Sequence, residues 1–360
     1  MNRRKWNTGT ASFGVQSVIR LKNIYHMLSY AYRILNEEGY KSIQGEEFKN
    51  IHDLMAAILI QGVTNQCKRG LHKDYIEYTE VTGSLRGKID VTNSIKQSTL
   101  MRKSMVCHFD DFSENILMNQ IIKTTMKLLI RSGEVKASNR KELRKLNLFF
   151  ENVEEIEPQS INWGALSYHR NNATYKLLMN MCQMIIKGLL LTTESGEHRM
   201  RQFLDDQQMH RLYEKFLLSY FRKEHPEFSA SASFIEWNID NGMTEFLPAM
   251  KTDITLSKGG KTLIIDAKYY GSTMQTHTLF NSRTLISSNL YQMYTYVKNK
   301  DRVGSGNVSG LILYAKTDEE ITPDNDYQMD GNQITVRTLD LGADWPEIVR
   351  QLDSLPLLLE

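Results

Sequence analysis

The sequence has little cysteine and little proline: three and six residues respectively in a chain of 360. Cys67, Cys107 and Cys182 are far apart, odd in number and without a C-x-x-C pair. That pattern argues against a disulfide framework and a cysteine zinc site, and fits a reducing cytoplasm. The nine histidines form no H-E-x-x-H and no i,i+4 pair, so each reads as a surface or satisfied core histidine. No apolar run approaches the roughly 20 residues that cross a bilayer. The richest, Met184 to Leu191, is interrupted by Lys187 and Gly188. Arg3, Arg4 and Lys5 are not followed by an apolar segment, so neither a secretory leader nor a membrane partner is expected. There is no G-x-x-x-x-G-K-[ST] loop, so the chain is not expected to use a nucleotide itself.

What is present is the composition of a soluble globular protein, 41% hydrophobic and 24% charged, long enough for two domains. Net charge is +2, unevenly placed: residues 317–360 carry eleven acids against two bases. The remainder is a mildly basic body able to hold a phosphate backbone, although an ordinary solvated surface with an acidic end accounts equally for the numbers.

Residues 1–20 are polar and basic and are expected to be flexible. Apolar spacing predicts helices over 24–35, about 47–64, 116–130 and 140–148, with a strand-like stretch from Tyr75 to Ile95 punctuated at Thr82-Gly83 and Arg86-Gly87. The acidic, Pro158-containing segment 152–163 reads as a boundary, giving an N-terminal domain over 21–163 and a second over 164–360. In the second, helices are expected near 172–191 and 206–225. Strands follow near 234–239, 252–257 and 261–268, then a helix over 288–298, strands over 308–315 and 333–339, and a closing helix over 344–357.

The chemistry concentrates in one hairpin. Lys258-Gly259-Gly260 separates two runs rich in Thr, Ile and Leu and supplies the positive φ angles of a tight turn. Side chains alternate along a strand, so Asp266 and Lys268 share one face. The preceding Leu263-Ile264-Ile265 says that the strand is buried, where a carboxylate and an ammonium are costly unless they pair or hold a metal. Asp253 adds a second carboxylate from the neighbouring strand. Two hard oxygen donors suit Mg²⁺, one ion or two. Lys268 would orient or activate a water, or stabilise charge developing on a phosphate. An isolated D-x-K is also what an edge ion pair looks like, but the upstream Asp and the apolar approach favour the site.

This combination resembles the PD-(D/E)xK nuclease signature, with Asp253 and Asp266 as the acids and Lys268 as the lysine; Thr252 stands where the pattern has proline. In that superfamily the helix before the strands often carries an acid aimed at the metal, and Glu214 occupies that place, though surface pairing along its helix is an equal reading. Gln292, with Tyr296 one turn on, either reaches the site or a DNA phosphate, or simply covers the sheet.

Further segments resemble one family. They are Val18 to Ala31, Arg69-Gly-Leu, Gly83-Ser-Leu-Arg-Gly87, Phe109-Asp through Asn119-Gln, Leu212-Tyr-Glu-Lys-Phe216, Thr252-Asp253-Ile-Thr, Ile265-Asp-Ala-Lys-Tyr269, Asn289-Leu-Tyr-Gln292 and Gly310-Leu-Ile-Leu-Tyr314. Together, in this order, the chain resembles the McrC family, the nuclease subunit of McrBC-type 5-methylcytosine-dependent restriction systems. The resemblance implies an α+β or α/β protein. Its mixed helical and β N-terminal domain would engage the hexameric ring of a McrB-like AAA+ GTPase, and its C-terminal domain would be a PD-(D/E)xK nuclease with a central mixed sheet flanked by helices. It also implies Mg²⁺-dependent cutting of double-stranded DNA, with GTP used by the ring and not by this chain, and a possible homodimer on DNA. The Tyr75–Ile95 strands would be the element offered to the ring, with Arg86 and Lys88 as contacts or, equally, as a solvated hairpin tip. A repair nuclease working with a helicase and a non-cleaving activator of the ring are the alternatives.

Overall fold

A computed structural model of the chain describes residues 19–32, 43, 48, 50–170, 172, 174–194, 206–243, 245–269, 274–277, 282–316 and 322–359. The stretch expected to be flexible lies, up to residue 18, outside the described residues. The chain divides into two units, Met1–Leu35 with Asp205–Glu360, and Asn36–Leu204.

The first unit begins with α1 (Leu21–Ala31), whose Ile24, Tyr25, Met27, Leu28 and Ala31 are buried. Asn23 Nδ2 donates to the carbonyls of Leu341 and Ala343, both at 2.8 Å, and Tyr30 Oη donates to Glu224 Oε1 at 2.8 Å. The helix therefore belongs with the far end of the chain.

The second unit holds α2 (Ile51–Arg69), β1 (Asp74–Thr82), β2 (Lys88–Ile89), α3 (Val91–Lys96), β3 (Met105–Ser113), α4 (Leu117–Arg131), α5 (Ala137–Asn147) and α6 (Tyr175–Glu194). Asn50 caps α2 by accepting the Asp53 N–H. The core is helical, α2 and α4 each packing on α5 and α6. From it β1 and β3 extend as an antiparallel ribbon paired from Asp74↔Ser113 to Thr82↔Met105, about 30 Å long. β2 joins the other edge of β3 through Lys88↔His108 and Ile89↔Cys107. Most ribbon residues are exposed on both faces. Gly87, at φ +65°, is required where the chain crosses β3: a Cβ there would lie 2.3 Å from the carbonyl oxygen of His108.

The chain re-enters the first unit at α7 (Asp206–Glu224). It continues through β4 (Phe234–Ile235), β5 (Met250–Lys251), β6 (Ile254–Lys258), β7 (Lys261–Lys268), β8 (Met274–His277), β9 (Ser282–Leu285), α8 (Ser287–Lys300), β10 (Val308–Ala315), β11 (Asn325–Met329), β12 (Asn332–Leu339) and α9 (Trp345–Ser354). Five strands form one sheet in the order β11-β12-β10-β7-β6. β7, β10 and β12 are parallel, while β6 and β11 run antiparallel at the edges. α8 is the crossover between the parallel β7 and β10, as such a connection requires. α7 packs on β6 and β7, and α8 on β7, β10 and β12, giving the expected mixed sheet flanked by helices. β7 is an interior strand between β6 and β10, buried from Leu263 to Lys268, which explains its apolar run.

Three expectations are corrected. The boundary at 163/164 falls inside the second unit, and α1 lies in the first, so 21–163 and 164–360 are not the two bodies. Ile95 is helical, and the ribbon's second strand is β3, whose His108, Asp110 and Asp111 give no apolar alternation because beyond the buried Val106 and Cys107 the strand is largely exposed. The run of three strands before α8 is split: β4 pairs with β5 in a sheet of its own, because the chain breaks pairing at Thr252-Asp253.

Asn23→Ala removes the donor shared by two carbonyls and is expected to destabilise the first unit by about 1–3 kcal/mol. An unchanged melting temperature would place α1 outside that unit's cooperative core.

Candidate active site

The β6–β7 hairpin closes through Gly259 and Gly260 at φ +58° and +82°, as the turn demands. On β7, Ile264, Asp266 and Lys268 share a face; Ile264 packs with Met293 and Val297 of α8 and Ile312 of β10. α8 comes close there because residue 310 is glycine, where a Cβ would fall 2.5 Å from Met293 Sδ. Two apolar rows thus enclose Asp266 and Lys268, which are only 3% and 7% exposed.

Asp253 is delivered by the break in pairing between β5 and β6. Thr252 is buried, and its Oγ1 accepts from Ser233 N at 3.0 Å, donates to Ser233 O at 3.1 Å and lies 2.9 Å from Thr255 Oγ1. A threonine hydroxyl thus fixes the bend where the nuclease signature has proline. Half-buried Asp253 turns inward, and its Oδ2 accepts the Ala267 N–H at 2.9 Å.

Lys268 Nζ lies 2.8 Å from Asp266 Oδ2 and donates to Gln292 Oε1 at 3.1 Å. Gln292 Nε2 donates to Tyr296 Oη at 3.0 Å, which donates to the Lys251 carbonyl at 3.2 Å. Gln292 therefore faces the site and ties Lys268 to the strand preceding Asp253. Asp266 Oδ2 is buried, with the Lys268 ammonium beside it.

Burial raises both carboxyls. Asp253 is pushed up to about 7, first by loss of water and then by the charges of Asp266 and Glu214, against the pull of the Ala267 N–H and Lys268. Asp266 is also raised by burial, opposed by the Lys268 charge. A divalent cation fits these donors: it relieves the repulsion between neighbouring carboxylates and prefers hard oxygen ligands.

The other candidates fall differently. Glu214 on α7 is held by His210 one turn earlier, Nε2 to Oε1 at 2.8 Å, while His210 Nδ1 accepts the Tyr269 N–H at 3.4 Å. That hydrogen bond to Glu214 is the main cause raising the His210 pKa. Glu214 acts on both aspartates by charge but does not complete a ligand set: among the described residues no three His, Cys, Asp or Glu side chains converge to hold a metal. His210 is not among the sequence candidates, because it forms no histidine pair; its signal is the i,i+4 spacing to Glu214. In the second unit, the Arg86 guanidinium lies 4.1 Å over the Phe109 ring and 3.7 Å from Asp111, so it is engaged by its own ribbon. Lys88 is exposed.

A carboxyl raised from about 3.9 in the unfolded chain to about 7 in the folded one binds more protons when folded, so its contribution to stability falls as pH rises across that interval. Asp253→Asn cannot ionise and still offers an oxygen to Ala267. It is expected to melt above the native chain at pH 8, with the difference shrinking as pH is lowered through 7 towards 4. A difference independent of pH would contradict a carboxylate strained by burial and like charge.

Residues 16–314 match the family described as "McrBC 5-methylcytosine restriction system component". The chain is 30% identical over 341 residues, 94% of its own length and 97% of the relative's, to the Escherichia coli (strain K12) protein described as "Type IV methyl-directed restriction enzyme EcoKMcrBC". In fold it is similar, with a TM-score of 0.51 at 18% identity, to a chain in the refined half-complex from a tetradecameric assembly of Thermococcus gammatolerans McrB AAA+ hexamers with bound McrC; the match covers 94% of this chain and 76% of that one. The family match takes in residues of both units, and the chain belongs to the McrBC 5-methylcytosine restriction system component family.

Proposed function

We propose that this chain is the DNA-cutting subunit of a modification-dependent restriction complex, a Mg²⁺-dependent endonuclease whose first unit has the PD-(D/E)xK fold. The observation that carries the reading is the constellation of Asp253, Asp266 and Lys268, with Asp266 and Lys268 buried and Lys268 Nζ 2.8 Å from Asp266 Oδ2. Two carboxylates and a lysine enclosed together are expensive to maintain and have no packing role. The order helix, hairpin, crossover helix, parallel strand supports the fold assignment.

Asp253 and Asp266 would hold the metal, one ion or two. Such an ion, when bound, supplies polarisation of the scissile phosphate and acidifies a water. Lys268, fixed between Asp266 and Gln292, directs its ammonium to the attacking water or to charge developing on the phosphate oxygens. Gln292, itself held by Tyr296, limits the positions Lys268 can take. Glu214, paired with His210, adds negative charge that favours a cation at the two aspartates. Cutting both strands needs two such sites or two successive cuts, and a pair of nuclease units on DNA supplies the former.

Recruitment falls to a McrB-like AAA+ ring that uses GTP. Family membership supports this partner, as does the solved relative, described as McrB AAA+ hexamers with bound McrC. The β1–β3 ribbon, largely exposed and with Arg86 and Lys88 between its two strands in the chain, is the element suited to contact the ring.

Asp266→Ala is expected to abolish cleavage of methylated DNA in the presence of the ring, GTP and Mg²⁺, while ring binding and GTPase stimulation persist. Lys268→Met should cost on the order of 10²-fold or more in cleavage rate, and Gln292→Leu less, since it acts through Lys268. Undiminished cutting by the Asp266 variant would overturn the site, and loss of GTPase stimulation in the same variant would overturn the separation of cutting from recruitment.

A further inference from the structure

We infer that the outer face of α5 is a surface for the phosphate backbone of duplex DNA, in the unit that does not carry the aspartates; the inference rests on DNA being the substrate. Charge is the first observation. Residues 123–145 hold eight lysines and arginines against two glutamates, whereas the whole chain balances 44 against 42, so the rest of the chain is net acidic. Part of this charge is used internally. Lys123 donates to the carbonyls of Phe150 and Val153, Lys127 pairs with Glu155, and Lys136 lies 3.1 Å from the buried Asp53. Along α5, Arg140, Lys141 and Arg144 make no side-chain hydrogen bond or ion pair among the described residues, and Lys145 has Glu142 at 2.7 Å.

The fold does not require this face. α5 is fastened at its start by Asp53, which accepts from Lys136 N and Asn139 Nδ2 at 3.1 and 2.8 Å, and along its length by buried Leu143 and Leu146. Arg140/Arg144 and Lys141/Lys145 are like charges at i,i+4, which work against a helix. Their repulsion is kept where neither core nor cap requires it, and a row of phosphates relieves it. The two rows rise about 6 Å per step along a helix already held in place. A duplex presents a negative charge at every ~1.7 Å of its axis, so a stiff basic face finds counter-charges without reordering. Exposed Leu148 and Phe149 follow the helix, so a protein occupant is included in the test.

The experiment compares the full chain with the K141E/R144E/K145E variant for binding a fluorescein-labelled 30-base-pair duplex in EDTA, by anisotropy over a range of salt. The variant should bind at least tenfold more weakly at fixed salt, and the slope of log affinity against log salt should fall by about 0.9 for each phosphate no longer neutralised. The K141Q/R144Q/K145Q variant should show the same change in smaller degree with its melting temperature preserved, which keeps the result separate from misfolding. Unchanged affinity and slope in the glutamine variant overturn the inference. So does loss of GTPase stimulation with DNA binding intact, which would assign the face to the ring. If the native chain cuts DNA with its ring while the variants bind as it does, the inference fails and the nuclease reading stands; if the native chain neither binds nor cuts DNA, both fall.

Discussion

Bringing two carboxylates together, Asp266 on the buried β7 and Asp253 at the break before β6, is the constraint on which the first unit depends. Loss of water raises both, the charges of Asp266 and Glu214 raise Asp253 further, and Lys268 opposes both shifts. Such a group persists only where its surroundings fix every neighbour. The five-stranded sheet does so by placing β7 inside it, between β6 and β10. The glycine at 310 lets α8 approach, and the Thr252–Ser233–Thr255 network sets the bend from which Asp253 points. Even the amide of Ala267 is used, bonded to the Asp253 side chain in place of a ladder partner.

This also explains why the site is legible in the sequence. On a strand buried on both sides, Asp266 and Lys268 interrupt an apolar run, and an interruption two residues apart declares a shared face. Gly259-Gly260 marks the turn, and the spacing of Asn289, Gln292, Met293 and Tyr296 separates polar from core positions of α8 without any knowledge of the fold. Glu214 is ambiguous at that level, because an acid one turn from a histidine on a half-buried helix is described equally well as a ligand or as a paired side chain. In the structure Glu214 is paired with His210 at 2.8 Å.

What the sequence hides lacks a local signal. Beyond the buried Val106 and Cys107, β3 is largely exposed, so it carries no period-two pattern by which a strand could be recognised. Thr252 takes the place of a proline through hydroxyl hydrogen bonds that only the fold assembles. The segment 152–163 has the punctuation of a linker, yet it lies within the second unit. α1 has an ordinary amphipathic pattern, and nothing in its composition announces that Asn23 answers to carbonyls 318 and 320 residues away.

That last pair of hydrogen bonds shows how the first unit tolerates an insertion as long as Asn36–Leu204. The entropy of closing a loop grows with the logarithm of its length, each doubling costing about 0.6 kcal/mol. Lengthening a connection of about ten residues to one of this size is roughly four doublings, about 2.4 kcal/mol. A single buried leucine or methionine contributes about 1.5–3 kcal/mol, and α1 buries Met27 and Leu28 completely. The helix therefore holds its place against the closure entropy with its core contacts alone. The Asn23 and Tyr30 hydrogen bonds then specify how it docks, so the second unit can be carried between α1 and α7 without loosening the sheet that positions the aspartates.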